Sequence, residues 1–532
     1  MAKKRPRQTG DGRTAEPFCP FGYPEGSKID YRVIAQEFVR FQDDLVWGDL
    51  ATRDDDLRSR VLAGRRGSGK TVYLRRLEDH CSKATDLIAI PRETAPPTSD
   101  LVLHFRKRCG GMAILEQWRL IWRRSIFRSV GSRILAEARL RPRLSQRSID
   151  AIVRLCQEAT GRRLPLAEGV YSALSSILYS KQTTQDFQAY LRAPFWDELE
   201  QVVADAIADA PPVCLFLDGV DGNFESAPRY WIECQLGLVH AVLDLLDETP
   251  VSSRLHVFIT VRESVYLKLL EGSQGFRLAA PPYVRRLAWD SRAARYLLEE
   301  KIGRLPESVL MGRSASTPFA RWLGTETVRI QSRSSDENAV SYLLRHTRLL
   351  PRDLIRLGNE VAFHLYRATW FEDIELPHSP IVDGVHALAS LIGEELLKEC
   401  ALNLVGDTWP AGAVEPKDPA GIEAGIHSLR ARLRDFLRQQ AGTEILSRRR
   451  LETLRRAAED AFPGSDVLGA LWLSGLLGIV DGEGKKSAKA VFSFSLAAAA
   501  TELPTKAKYI FHSSLIEAVG LRSSNQQAVP IT

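Results

Sequence analysis

The chain has 532 residues, 44% apolar and 26% charged, which excludes a wholly disordered or fibrous protein and leaves room for roughly three or four domains. Its net charge of +6 is mild for this length, and the absence of any apolar run of about 18 residues argues against a membrane span. Seven scattered cysteines with no CxxC pair exclude a zinc knuckle or disulfide framework, and a basic start without an apolar core is not a secretion signal, so a reducing cytoplasm is expected.

Residues 1 to 30 are polar, basic and rich in Pro and Gly, and read as a flexible tail. The spacing of Val33, Ile34, Phe38, Phe41 and Val46 predicts an amphipathic helix. Arg58 to Ala63 is a short strand running into a Gly-rich turn, Thr71 to Cys81 a helix, and Asp86 to Ile90 a second strand stopped by Pro91. Residues 112–205 read as helical throughout, with Trp118, Trp122 and Phe127 on one side and many Arg on the other. Pro212 to Leu217 and Leu255 to Thr260 are continuous apolar runs, the pattern of strands buried on both faces of a parallel sheet, with a helix from Trp231 to Leu246 between them. Val284 to Trp289 is a fifth strand. Strands alternating with helices predict an α/β domain.

After residue 290 the strands stop, and helices are expected at 291–304, 337–347, 352–367, 381–400, 421–440 and 448–461. The end reads as a helix from Asp466 to Gly478, a turn DGEGKKS, a strand from Ala490 to Leu496, then a strand and helix from Lys508 to Val519. Helices followed by a two-stranded unit with a basic tip resemble a winged helix.

The strongest chemical signal is Gly64-Arg65-Arg66-Gly67-Ser68-Gly69-Lys70-Thr71, which fits GxxxxGK[ST] between a strand and a helix. Glycines let backbone N–H groups wrap around phosphate oxygens, and the following helix points its positive end at the same anion. Lys70 would reach the β- and γ-phosphates, and the Thr71 hydroxyl would ligate Mg2+. Leu215-Phe216-Leu217-Asp218-Gly219-Val220-Asp221 is a buried strand ending in a carboxylate, where a second magnesium-side ligand belongs, and Asp221 could orient an attacking water. In Phe258-Ile259-Thr260-Val261-Arg262, Arg262 closes a buried strand and could reach the γ-phosphate; an ordinary strand-end arginine is the alternative. In Leu350-Pro351-Arg352-Asp353-Leu354, Pro351 suits a first helical turn, from which Arg352 would project as a conformational sensor or simply as an exposed side chain.

The order GRRGSGKT, LFLDGVD, FITVR, LPRDLIRL resembles P-loop ATPases of the AAA+/STAND type, origin-recognition initiators among them, over roughly residues 58 to 367. The resemblance implies ATP and magnesium, with Lys70 and Thr71 as Walker A, Asp218 as Walker B, Arg262 resembling sensor 1 and Arg352 sensor 2. It implies a P-loop domain over 31–290 with a helical insertion at about 112–205 and a helical lid over 291–372, while the residue pattern makes 373–532 a helical and winged-helix-like domain. Two features depart from the pattern. Gly219 stands where such enzymes usually carry Glu, so Asp221 would have to substitute, and the gap from Lys70 to Asp218 is long. Trp231, Gln235 to Leu238 and Leu287 to Trp289 resemble bacterial ATPases, including ones associated with phage defence.

The expected function is an ATP-binding, oligomerising switch with a protein client or effector, in which Arg229, Arg285 or Arg286 could act in trans on a second copy. The alternative is an ATP-loaded DNA-binding protein, motivated by Lys485, Lys486 and Lys489 in the wing with Arg448 to Arg450, Arg455 and Arg456 nearby. The 56 Arg against 16 Lys fit a GC-rich genome, and the arginines from Arg106 to Arg133 read as a solvated helix face more than as a nucleic-acid grip. No histidine pairing suggests a metal site, and His512 is expected to pack in the terminal region.

Overall fold

The computed structural model describes residues 18–29, 34, 60–85, 87–93, 101–105, 114–137, 144–160, 167–181, 183–208, 210–220, 228–248, 251–271, 284–330, 335–369, 379–405, 419–482, 488–495, 502–522 and 531. Apart from Ile34, the helix expected from Tyr31 to Val46 lies outside them, as do Asp221, Lys485 and Lys486.

The five expected strands become β1 (Val61–Gly64), β2 (Ile88–Ile90), β3 (Val213–Leu217), β4 (Leu255–Arg262) and β5 (Val284–Arg286). They pair in parallel in the order β2-β3-β4-β1-β5. Strand side chains alternate between faces. Cys214, Phe216 and Phe258 pack with Leu74 and Leu77 of α1 (Lys70–Lys83), whereas Val213, Leu215, Leu217, Val257 and Ile259 face a thick helical layer.

That layer contains α2 (Ile114–Ala136), α3 (Gln146–Thr160), α4 (Val170–Leu178), α5 (Pro194–Ala208) and α6 (Pro228–Asp247). Helix α2 is central and touches the other four, which corrects the expected solvated arginine face. Arg124 and Arg128 are buried, Arg124 against Glu200 and Asp197 and Arg128 against Glu168, while Arg123 grips Glu200 and Glu248. Where the helix is covered by its neighbours there is no solvated stripe, so the guanidinium groups of Arg123, Arg124 and Arg128 are neutralised by carboxylates from residues 168–248.

After β4 come α7 (Glu263–Glu271), α8 (Ser291–Ile302), α9 (Pro351–Ala368), α10 (Pro380–Val405), α11 (Pro419–Gln440), α12 (Arg448–Ala461), α13 (Val467–Ser474) and α14 (Ser513–Val519). Strands do not stop at 290: β6 (Thr327–Ile330) and β7 (Ser335–Asn338) form an antiparallel pair too polar to be read from apolar patterning. The terminal sheet has four strands, β8 (Ile445–Ser447), β9 (Leu477–Asp481), β10 (Lys489–Val491) and β11 (Lys508–Phe511), in the antiparallel order β10-β9-β11-β8. Gly475, at φ 83, ends α13 in the left-handed region, and the apolar run expected to continue that helix becomes β9 instead. One apolar core runs without a break from Trp289 through α9 and α10 into this sheet.

Residues 18–29, expected within a flexible tail, are packed. Phe21 is buried against Trp322 and Gly358, its N–H donates to Asn359 Oδ1 at 2.9 Å, and Gly26 accepts from Arg75 of α1. A single aromatic anchor of this kind is worth about 2–3 kcal/mol and holds the segment against α9, while the Arg75 bond ties it to α1.

His512 is fully buried at the start of α14. Ser514 N–H donates to its Nδ1, which leaves the proton on Nε2 for the Thr347 carbonyl at 3.0 Å. Burial pushes this imidazole down to about 4. Its stabilising effect is therefore complete above its ordinary value of 6.5 and is lost as pH falls toward 4, by roughly 2 kcal/mol at about pH 5. Urea midpoints at about pH 7.5 and 5 should fall further in the wild type than in His512→Asn, which keeps a capping side chain.

Candidate functional site

Strand β1 delivers the chain to the turn at 65–69, and α1 begins at Lys70. Gly67 and Gly69 sit at φ 94 and 95, where a side chain is strained. A Cβ on Gly67 would also stand 3.0 Å from the Cβ of Arg352. Lys70 folds back over the turn, and its Nζ donates to the carbonyls of Gly64 at 2.7 Å and Arg65 at 3.0 Å. The indole N–H of Trp289 donates to Ser68 O at 3.0 Å, and the buried Ser68 hydroxyl has no hydrogen-bond partner among the described residues.

The second wall comes from the sheet. Because β4 lies between β1 and β3, Arg262 is level with Gly64 and Ile259 with Leu217. Asp218 follows β3 and is nearly buried; its Oδ1 accepts from the Thr260 hydroxyl at 2.6 Å and its Oδ2 from Arg92 at 2.8 Å. The Arg262 N–H donates to Gln235, and its guanidinium stands over the Trp231 ring.

The third wall is the start of α9. Arg352 N–H donates to Gly67 O at 3.2 Å. The helix start is held by Arg348 and Asp353, both fully buried and paired at 2.7 Å, with Glu395 on the outer side. Burial would raise the Asp353 carboxyl, but Arg348 more than offsets it and holds it below its ordinary value. Leu349, at φ 60, carries left-handed strain that this pair sustains. Burial, then the like charges of Arg66 and Arg356, pull the Arg352 guanidinium below its ordinary value, and its Nε has no partner among the described residues.

These walls enclose a cavity of about 400 Å³. It collects Arg66, Gly67, Gly69, Lys70, Thr71, Asp218, Arg262 and Arg352, eight of the sequence-predicted residues. Four cationic side chains face one carboxylate there, which is chemistry for a polyanion. Tyr23, Pro24, Ile29, Val72 and Ile355 add an apolar side. The Thr71 hydroxyl and Asp218 carboxylate are hard oxygen donors on one cavity, a set that suits magnesium shared with phosphate oxygens. Among the described residues no group of three or more His, Cys, Asp or Glu could hold a metal by itself.

Arg65 does not join the cavity. It pairs with Glu263, which also holds Arg286, and donates to Leu473 O and Ser493 Oγ in the terminal unit at 3.0 and 2.9 Å. Burial would raise the Glu263 carboxyl, but Arg65 and Arg286 hold it below its ordinary value. Sequence reasoning missed Arg92, Thr260, Glu263 and the segment at Tyr23. Thr260 was within reach, since it is the one hydroxyl in the FITVR strand; Arg92, two residues past a strand end, carried no signal of its own.

No family model, curated protein or solved structure matches this chain. No helix among the described residues is long and apolar enough to cross a membrane.

Gly67→Ala combines positive φ with the Arg352 contact, whereas Gly520→Ala, at φ 76 with open space around its Cβ, carries the backbone strain alone. Gly520→Ala should lose roughly 1–2 kcal/mol to that strain and Gly67→Ala more, the excess read as the difference between the two urea midpoints.

Proposed function

We propose that this chain is an ATP-binding P-loop protein of the AAA+/STAND type that works as a nucleotide-dependent, oligomerising switch. The observation that carries the reading is the single cavity in which Lys70, Thr71, Arg66, Arg262 and Arg352 face Asp218 across a glycine turn. The phosphates would lie against the turn and the first amides of α1, with Lys70 turning from its two carbonyl acceptors to the anion. The buried Ser68 hydroxyl and Arg352 Nε are further donors beside the turn. The purine would take the apolar side near Tyr23 and Ile355. Thr71 and Asp218 would hold magnesium, which supplies charge neutralisation at the β- and γ-phosphates.

Gly219 follows Asp218 in place of a second carboxylate, so hydrolysis relies on Asp221 and is expected to be slow. The switching logic follows from attachment. Arg352 ties α9 to the turn, and Arg65 ties the terminal unit to it, so a ligand that reshapes the turn acts on both. A client protein, and a setting in phage defence, rest on the sequence resemblance alone.

Size-exclusion with light scattering tests the reading on wild type and Lys70→Ala, with and without Mg-ATP, with phosphate release read from the same samples. The expected result is a nucleotide-dependent rise in mass and slow turnover, both lost in the variant. An unchanged mass with no bound nucleotide would overturn it.

A second reading has an observation of its own. Arg448, Arg449, Arg450, Arg455 and Arg456 are all exposed along α12, with Lys489 also exposed on β10 of the same unit. The full chain should then bind duplex DNA with log Kd rising with log salt at a slope of about 4, the mark of about four or five phosphate contacts. Binding that is absent or independent of salt removes this reading.

A further inference from the structure

Arg92 is the one cation bonded to the Asp218 carboxylate among the described residues, and three elements fix it there. Strand β2 pairs in register with β3, Ile90 opposite Leu215, so the chain leaving β2 runs beside the end of β3. The Arg92 N–H donates to Glu78 Oε1 of α1 at 2.9 Å. The next residue, Glu93, accepts from the Tyr171 N–H at 2.9 Å, at the start of α4. Tyr171 is buried, and its hydroxyl returns to the Asp218 carbonyl at 2.8 Å. A closed ring therefore runs from Asp218 through Arg92, Glu93 and Tyr171 back to Asp218, and joins the helical layer to the carboxylate.

Resting on the nucleotide reading above, we propose that Arg92 is a stand-in cation at Asp218. It yields the carboxylate when a magnesium–nucleotide complex loads, and Tyr171 sets how readily it yields. A guanidinium within hydrogen-bond distance of Oδ2 neutralises the charge that a divalent cation needs and must swing aside or share it. The Arg92 side chain has room to do so, being 23% exposed against 10% for Asp218. Tyr171, by fixing the backbone that carries the carboxylate, holds the resting arrangement. Anything that shifts α4 would then change the magnesium requirement without touching the nucleotide.

The test is a titration of magnesium against binding of a fluorescent ATP analogue, read as the half-saturating magnesium concentration and not as turnover. Arg92→Gln should lower that concentration about tenfold, the scale of one charge-assisted hydrogen bond. Arg92→Lys, which keeps a cation but not the planar fork, guards against a folding failure and should shift it the same way by less. Tyr171→Phe keeps the ring and loses the hydroxyl, and should also lower it. A folded Arg92→Gln or Arg92→Lys with an unchanged or raised half-point overturns the stand-in role and leaves an ordinary structural ion pair. An unchanged half-point in Tyr171→Phe alone overturns the control assigned to α4. Failure of the wild type to bind the analogue at any magnesium concentration is a different result and removes the nucleotide reading itself.

Discussion

The turn between β1 and α1 is the constraint on which the other parts depend. Its backbone passes twice through the left-handed region, at Gly67 and Gly69, and has no Cβ where α9 comes closest. That absence lets Arg352 N–H reach Gly67 O; on the same turn Trp289 donates to Ser68 O and Lys70 lies across the Gly64 and Arg65 carbonyls. Arg65 leaves the same turn in the opposite direction, toward α13 and Ser493. The sheet, the helix α9 and the terminal unit thus meet on eight residues. A larger side chain at Gly67 would separate them before it altered any chemistry.

Charge is distributed unevenly around that turn. Arg124 and Arg128 of α2, and Arg348 before α9, are buried in ion pairs, where removing one partner typically costs about 3–5 kcal/mol. Those pairs build the fold. Around the 400 Å³ cavity the balance is different, with four cations against Asp218 alone. Arg352 is pulled below its ordinary value by burial and by its cationic neighbours, the opposite of the well-paired Arg348, whose value is raised. Cationic side chains thus outnumber carboxylates on the cavity lining, whereas Arg348 sits beside its own carboxylate.

Much of this was legible in the chain itself. The glycine pattern and the apolar runs marked all five parallel strands to within a few residues, most directly β1 and β3, which are buried at every position. Eight of the predicted site residues meet at one cavity because they sit at strand ends or helix starts, which a parallel sheet gathers along one edge. Elements whose identity depends on distant packing were not legible. The polar β6 and β7 pair has no apolar alternation, and β9 reads as a continuation of α13 until Gly475 reverses the chain. Phe21 in a Pro/Gly-rich stretch looks like tail until Gly358 is seen to leave a slot for its ring.

By itself the sequence determined the local chemistry: a turn of glycines before a lysine and a threonine, a carboxylate after a buried strand, an arginine after another, and a proline-started helix. Only the tertiary structure decided which charges meet. Among 56 chemically alike arginines, it sends Arg65 to Glu263 and Ser493, Arg92 to Asp218, Arg348 to Asp353, and leaves Arg262 and Arg352 on the cavity. The reason is physical. A guanidinium's identity is a property of one residue, but its partner is set by the crossing of strands and helices up to 428 positions apart, and a local pattern does not encode that separation.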